Sequence, residues 1–126
     1  KMSISESIKT ADFKAEKHVP VIEIIKKDGD YTVAGVKVGK EVAHPNTTEH
    51  YIAWIDLYYK ADDENFVQHL GRAEFKAHGE SATGANQGSL FTEPTASFRF
   101  KALKSGKLTA VSYCNIHGLW ESELSI

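Results

Sequence analysis

Apolar and polar residues alternate with a period of two along most of this chain, and helical periodicity is scarce. Short runs rich in β-branched and aromatic residues are bounded by turn residues. They cover residues 18–25, 31–38, 50–60, 66–78, 95–103, 108–114 and 119–126. About seven short strands at this spacing predict an all-β fold, an immunoglobulin-like antiparallel β-sandwich.

Local patterns give this sandwich some detail. Residues 28–30, Asp-Gly-Asp, predict a hairpin turn between the first two strands. The segment 50–60 is apolar on both faces, which is typical of a central strand covered on two sides. Gly71 predicts a bulge. Beyond it the alternation predicts two sets of side chains on opposite faces. One set is Ala73, Phe75 and Ala77, and the other is Arg72, Glu74, Lys76 and His78.

Two regions lack this alternation. Residues 39–49 are short of apolar side chains, contain His44 and are followed directly by His50. Residues 79–94 form a polar segment that is long for a loop without a function. Functional residues often lie on loops that a rigid scaffold positions.

Composition narrows the function classes. A length of 126 residues suits a single domain, predicted over 1–126, and the net charge of −2 argues against broad phosphate neutralisation on a nucleic acid. No apolar run is long enough to cross a bilayer. One cysteine suits a reducing cytosol, and we therefore predict a cytoplasmic location without nucleic-acid or membrane partners.

Four of the six histidines lie beside turn signals: His18, His44, His50 and His117. Pro45 and Asn46 favour a reversal that could bring the second and third of these together. Cys114 and His117 would face opposite ways in an extended strand, but Asn115 and Gly118 allow a turn that aims both at one point. His69 and His78 fall within a strand pattern and are interpreted as structural.

A lone cysteine is usually a core residue and a lone histidine a solvated one. The cluster of four loop-edge histidines with one cysteine instead favours a metal site. Structural zinc is almost always four-coordinate, and blue copper uses an axial methionine, whereas the only methionine here is Met2. Imidazole suits iron, and six-coordinate iron with five protein ligands leaves one position open.

The sequence resembles the superoxide reductases of the short neelaredoxin type, which are related to desulfoferrodoxin. The resemblance rests on EKHVPVIE at 16–23, VGKEVAHPNTTEHYI at 38–52, AHGES at 77–81 and SYCNIHGLWE at 112–121. It covers nearly the whole chain. The combination of HPNTTEH with CNIHGLW is highly specific, although each half alone is weak. Longer relatives add an iron domain with four cysteines, for which this chain has no ligands.

The resemblance implies one mononuclear non-haem iron per chain, cycling between Fe²⁺ and Fe³⁺. Its expected ligands are four equatorial imidazoles and an axial thiolate, from His18, His44, His50, His117 and Cys114. Glu16 is the carboxylate expected to occupy the sixth position in the ferric state. Lys17 is the cation expected beside the open face. Backbone N–H groups of Ile116 and His117 are expected to donate to the cysteine sulfur.

The implied reaction is the one-electron reduction of superoxide to hydrogen peroxide, with iron re-reduced by an external, rubredoxin-like donor. The family also implies a homotetramer. Two alternatives remain open at this stage. One is a cupredoxin-like copper protein that transfers electrons, and the other is a binding sandwich without metal whose histidines are incidental.

Overall fold

The computed structural model describes residues 3–126 and is almost entirely β-structure. Met2, considered above as an axial ligand, lies outside the described residues. One turn of 3-10 helix at Ile4–Glu6 precedes seven strands, which are β1 Pro20–Asp28, β2 Tyr31–Val38, β3 Ile52–Ala61, β4 Gln68–Glu74, β5 Thr95–Phe100, β6 Gly106–Cys114 and β7 Gly118–Ser125. No helix within residues 3–126 is long and apolar enough to span a membrane.

The strands form two antiparallel sheets, with the orders β1-β2-β5 and β4-β3-β6-β7. The chain passes between the sheets after β2, β4 and β5, as in other β-sandwiches. Strand β3 lies inside its sheet between β4 and β6, which confirms its predicted central position. The predicted antiparallel sandwich of seven strands is therefore confirmed.

Inward-facing side chains of both sheets form one core, as period-two alternation requires. The three-stranded sheet contributes Ile22, Ala34, Val36 and Val38, and the four-stranded sheet contributes Ile52, Ile55, Leu57, Leu108, Ala110 and Cys114. The cysteine side chain is fully buried at one end of this core. The core thus reaches the base of the segments that carry the histidines.

The predicted bulge at Gly71 is present. The pairing of β3 with β4 shifts register between Leu57 and Tyr58, which oppose Gly71 and His69. A Cβ atom at position 71 would lie 3.0 Å from Cε1 of Phe98 on the facing sheet, so glycine also allows the sheets to approach.

The strand alternation predicted as far as His78 does not extend to that residue. Strand β4 ends at Glu74, and His78 is only 3% exposed. Its ring stacks on that of Tyr51, with centroids 3.7 Å apart and planes 15° from parallel. Period-two alternation applies only within a strand. Beyond Glu74, the contact with Tyr51 sets the orientation of the His78 side chain instead.

The strand pairings bring three chain segments to one end of the sandwich. Pro20 at the start of β1 pairs with Val38 at the end of β2. Cys114 at the end of β6 pairs with Ile52 at the start of β3 and with Gly118 at the start of β7. The segment before β1, the β2–β3 loop and the β6–β7 hairpin therefore lie together, and these three segments carry the predicted ligands.

Candidate metal centre

His18 is held just before β1 by contacts of its backbone with the opposite sheet. The Ser112 hydroxyl of β6 donates to the carbonyl oxygen of His18 at 3.4 Å, and the Ser122 hydroxyl of β7 donates to that of Pro20. His18 is 5% exposed. These contacts fix the start of β1 against the strands that carry the Cys114 hairpin.

The β2–β3 loop reverses direction between its two histidines. The backbone N–H of Thr47 donates to the carbonyl of His50 at 2.9 Å, and its hydroxyl donates to the same oxygen at 3.1 Å. The rings of His44 and His50 consequently lie 4.7 Å apart, centroid to centroid. The reversal predicted from Pro45 and Asn46 brings these two residues together.

A three-residue turn joins β6 to β7 and directs Cys114 and His117 to the same place. Gly118 has φ +81°, a left-handed conformation that glycine adopts without strain. The Cys114 Sγ atom lies 3.7 Å from Nδ1 of His117, and the His117 backbone N–H donates to Sγ at 3.4 Å. One of the two expected backbone donors to sulfur, that of His117, is therefore present.

The four imidazoles form a closed ring. Neighbouring centroids lie 4.8 Å apart for His18 and His44, 4.7 Å for His44 and His50, 5.0 Å for His50 and His117, and 4.5 Å for His117 and His18. His18 and His50 lie across the ring at 6.2 Å. Three distant segments thus supply four side chains around one centre.

Distances between ring nitrogens fit a metal at that centre. His117 Nδ1 lies 3.0 Å from His18 Nε2 and 3.2 Å from His50 Nε2. Imidazole nitrogens bind metals such as Zn²⁺ at about 2.0–2.1 Å, so neighbouring nitrogens of a square plane lie about 3 Å apart. The ligand atoms of His18, His44, His50 and Cys114 all lie within 4.8 Å of one another.

Partners on the outer side of the rings favour tautomers with inward lone pairs. His18 Nδ1 lies 2.6 Å from Glu16 Oε1, and His44 Nδ1 lies 2.6 Å from the carbonyl oxygen of Pro45. Each of these Nδ1 atoms carries the proton, since both partners accept, and each Nε2 is left with a lone pair. Within the described residues, the buried Nε2 of His44 has no hydrogen-bond partner. A cation at the centre would satisfy these lone pairs, so the residues fit a bound metal.

Burial also keeps these imidazoles neutral. It lowers the pKa of His44 to about 4, although the Pro45 carbonyl opposes the shift. Burial likewise lowers the pKa of His18 and of His50, and the nearby Lys17 charge adds to the lowering for both. Neutral imidazoles are the form that binds a metal, so these three side chains are available as ligands at neutral pH.

Glu16 and Lys17 line an open cavity of about 420 Å³ beside the ring, together with His18, His117 and other residues. Glu16 lies on the outer nitrogen of His18 rather than among the inward-facing atoms. Burial alone would raise the pKa of Glu16, but hydrogen bonds from His18 outweigh it and the pKa is lowered. Among residues 3–126, Lys17 forms no ion pair. The cavity therefore carries an ammonium group that has no direct ion-pair partner among the described residues, although the Glu16 carboxylate is near enough to interact with its charge.

Sequence reasoning did not identify the contacts that brace this ring. Trp120 stacks on His18, with centroids 5.1 Å apart, and its Nε1–H donates to the carbonyl of His117 at 3.2 Å. The Asn115 side chain accepts from the N–H of Tyr51 at 2.9 Å and donates to the carbonyl of Glu49 at 3.0 Å. In the sequence, the asparagine in the turn after Cys114 was the one feature that could have indicated the contacts of Asn115.

The other two histidines lie outside the ring, as predicted. His69 Nε2 lies 3.0 Å from Oδ1 of Asp56 on the outer face of the four-stranded sheet. His78 packs on Tyr51, and its Nδ1 lies 3.1 Å from Oε2 of Glu80. The structure thus separates the four expected ligands from the two structural histidines.

Known proteins resemble this chain along nearly its whole length. Superoxide reductase from Pyrococcus furiosus is 55% identical over 123 residues, which cover 98% of each chain. Neelaredoxin from Megalodesulfovibrio gigas is 47% identical over 128 residues, covering 99% of this chain and 98% of that one. The reduced form of superoxide reductase (neelaredoxin) from Archaeoglobus fulgidus superposes with a TM-score of 0.92 at 55% identity, covering 94% and 97% of the two chains.

These relatives give no support to the cupredoxin alternative. The longer desulfoferrodoxin from Desulfarculus baarsii is 41% identical over 114 residues, which cover 90% of this chain and 68% of that protein. The family model described as desulfoferrodoxin matches residues 10–123, a range that contains all four ring histidines and the cysteine. On this match and these identities, the chain belongs to the desulfoferrodoxin family.

Proposed function

We propose that this chain is a superoxide reductase that converts superoxide, one electron and two protons into hydrogen peroxide. The metal is one iron, held by His18, His44, His50, His117 and Cys114 within a single domain. The observation that carries the proposal is the ring of inward-facing imidazole nitrogens, with a buried thiol on its core side and a cavity on its outer side. The names of the relatives support the same reaction.

Each residue of the site has a separate task. Bound iron supplies the single electron that superoxide takes up. Cys114 would hold the metal as a thiolate, whose negative charge would donate electron density to it. The backbone N–H of His117 stabilises that charge. Lys17 would attract the anionic substrate into the cavity and order the water that delivers protons to it.

Glu16 has two positions in this proposal. Here it accepts hydrogen bonds from the His18 ring at 2.6 Å and from the His18 backbone N–H at 3.1 Å, which orients that imidazole. As the sixth ligand of the ferric state it would leave His18 and turn toward the metal. Its side chain is 31% exposed, so it has room at the cavity edge to do so.

The partners follow from the same site. Turnover needs an external donor, and a rubredoxin-like protein is our proposal. The exposed ring of His117 is the ligand through which its electron would enter. A homotetramer rests on the resemblance to the family, and a cytoplasmic location rests on the single cysteine, which suits a reducing compartment.

Metal analysis and product stoichiometry together test the proposed function. We expect about one iron per chain, and one hydrogen peroxide formed for each superoxide consumed by the anaerobically reduced protein, without release of dioxygen. A dismutase would release dioxygen and form one peroxide from two superoxide ions. One copper per chain with an intense blue band and no reaction with superoxide would overturn the proposal.

Replacement of Lys17 by methionine should slow the reaction with superoxide. Removing the ammonium group lowers the local concentration of the anion, so we expect the second-order rate constant to fall about 10-fold at low ionic strength. The difference from wild type should shrink as salt screens the charge. Stopped-flow oxidation of the reduced protein at several ionic strengths measures both effects.

Lys27→Met is the matched control, because this exposed lysine near the end of β1 lies far from the ring and changes the net charge equally. We expect it to leave the rate constant within about twofold of wild type. Equal slowing by the two variants would show that overall charge, rather than Lys17 in the cavity, attracts superoxide.

A further inference from the structure

The long polar segment 79–94 packs against the loop that carries His44 and His50. Residues 79–94 form the support loop, and residues 44–50 form the histidine loop. Asn46 donates a hydrogen bond through its side-chain amide to the carbonyl of Thr92 in the support loop. The histidine loop contains no strand or helix of its own, so its shape depends on such contacts.

The support loop is itself fixed. Gly79 donates to the carbonyl of Leu90 at 3.0 Å, and Gly88 donates back to the carbonyl of Gly79 at 2.9 Å. Gly79 has φ +82°, and a Cβ atom there would lie 2.3 Å from Cε2 of Phe91. These close contacts let the segment serve as a rigid surface rather than a mobile flap.

Asn86 makes most of the connection between the two loops. Its Oδ1 accepts from the backbone N–H of Thr48 at 2.7 Å, and its own backbone N–H donates to the Thr48 hydroxyl at 3.1 Å. Its Nδ2 donates to both carboxylate oxygens of Glu49, at 3.1 and 3.2 Å. A single side chain and its backbone thus bind the two residues that directly precede His50.

The backbone of Asn86 is in an unusual conformation. Its φ of 63° makes it the one non-glycine residue with positive φ in the described part of the chain. Asparagine tolerates this conformation better than most residues, but it persists only where surrounding contacts fix it. The two contacts with Thr48 are the contacts that do so here.

Contacts on the other side of His50 complete the brace. The Thr48 hydroxyl donates to the carbonyl of His78 at 3.0 Å, and the His78 ring stacks on Tyr51, which follows His50. His50 is therefore held through both of its sequence neighbours, while its own ring is left free to face His117 at 3.2 Å.

We propose that Asn86 is a positioning residue for the metal centre, which orients His50 through Thr48 and Glu49 without touching the metal. The inference rests on the proposed metal site and extends it to a residue more than 30 positions away in sequence. Outer contacts of this kind typically change metal affinity by 10- to 100-fold, roughly, when they are removed.

Binding of cobalt(II), used as an optical probe of coordination, tests the proposal on the full chain. Asn86→Gly keeps the positive φ and the backbone N–H but removes the side-chain amide. We expect its dissociation constant for cobalt(II), measured by competition with a chelator, to rise about 10-fold. We also expect its visible bands to shift, because the geometry around His50 changes.

A double substitution at positions 86 and 49 tests whether cobalt(II) binding can be restored. Asn86→Asp keeps the acceptor for Thr48 but faces the Glu49 carboxylate, and should weaken binding. Adding Glu49→Gln exchanges the two roles, so that the amide at position 49 donates to the carboxylate at position 86. The double variant should return the dissociation constant for cobalt(II) to within about threefold of wild type. Ser81→Ala, which removes hydrogen bonds of the support loop to Thr83 only, should leave it unchanged.

The outcomes separate the two proposals. If Asn86→Gly lowers the melting temperature but binds cobalt(II) with the affinity and spectrum of wild type, the residue is merely structural and the positioning role is wrong. Failure of the exchange to restore binding would contradict it too. A wild-type protein that binds neither cobalt(II) nor iron(II) would overturn the proposed function as well.

Discussion

Replacement of Cys114 by serine is expected to lower the rate constant for superoxide reduction on the order of 1000-fold, equivalent to several kcal/mol of lost stabilisation. Serine has nearly the same shape, and its oxygen can accept the hydrogen bond that the His117 N–H donates to the sulfur, so the fold should survive. The hydroxyl stays protonated at neutral pH and is a hard donor. It therefore cannot supply the negative, polarisable ligand that the thiolate provides.

Optical spectroscopy measures the same change independently of activity. We expect the oxidised wild type to show a visible charge-transfer band from sulfur to iron, and Cys114→Ser to lack it. Metal content and melting temperature control for loss of iron or of the fold. A serine variant that keeps its iron, the band and a rate constant within tenfold of wild type would contradict the assignment of Cys114 as a ligand.

Much of the fold was predictable because period-two alternation is a local signal. It predicted all seven strands, and the predicted hairpin and bulge lie where Gly29 and Gly71 allow them. It failed for His78, which follows the end of β4 and turns inward to stack on Tyr51. That contact joins residues 27 positions apart, so no alternation pattern could indicate it.

The site was predictable to a similar degree. Turn residues beside the histidines indicated that the chain reverses there, and the resemblance supplied the ligand set. The order of the imidazoles around the ring depends on how β3 pairs with β6 and on how the sheet that contains β1 packs against them, which the sequence does not state. The contact between Glu16 and the outer nitrogen of His18 was also unexpected, because sequence suggested only its role at the sixth position.

Strand β3 contains one further feature that the pattern concealed. The segment was predicted to be apolar on both faces, yet Asp56 lies on its outer face and is only 2% exposed. Its carboxylate accepts hydrogen bonds from Arg72 at 2.7 Å through two nitrogens, and from Tyr58 at 3.2 Å, while His69 Nε2 lies at 3.0 Å. A buried charge with this many partners is stable only while they remain.

Arg72→Ala is therefore expected to lower the free energy of unfolding at pH 7 by about 3–5 kcal/mol, because it leaves the buried carboxylate without its cation. The variant also loses the contact of the guanidinium with the Trp54 ring, at 4.2 Å. Asp56→Asn should cost less, about 2 kcal/mol, since the Arg72 side chain is 39% exposed and can return to water. Urea denaturation of both variants and of the double variant measures this asymmetry, and equal losses would contradict it.

The sign of the pH dependence of the stability contributed by Asp56 follows from the shift of its pKa. Burial alone would raise the pKa of Asp56, but the Arg72 and His69 hydrogen bonds outweigh it and the pKa is lowered. The stability that Asp56 contributes is thus complete above its unfolded pKa of about 3.9, and is lost as the pH falls through the lower folded value. Without the guanidinium, the pKa of Asp56 is higher in Arg72→Ala than in the wild type, so acid relieves the unpaired charge earlier. We therefore expect the difference in unfolding free energy between wild type and Arg72→Ala to narrow from pH 7 to pH 4.5. The four histidines of the metal centre are present in both proteins, so their titration cancels in this difference. A difference that stayed constant would show that Asp56 is not the group responsible.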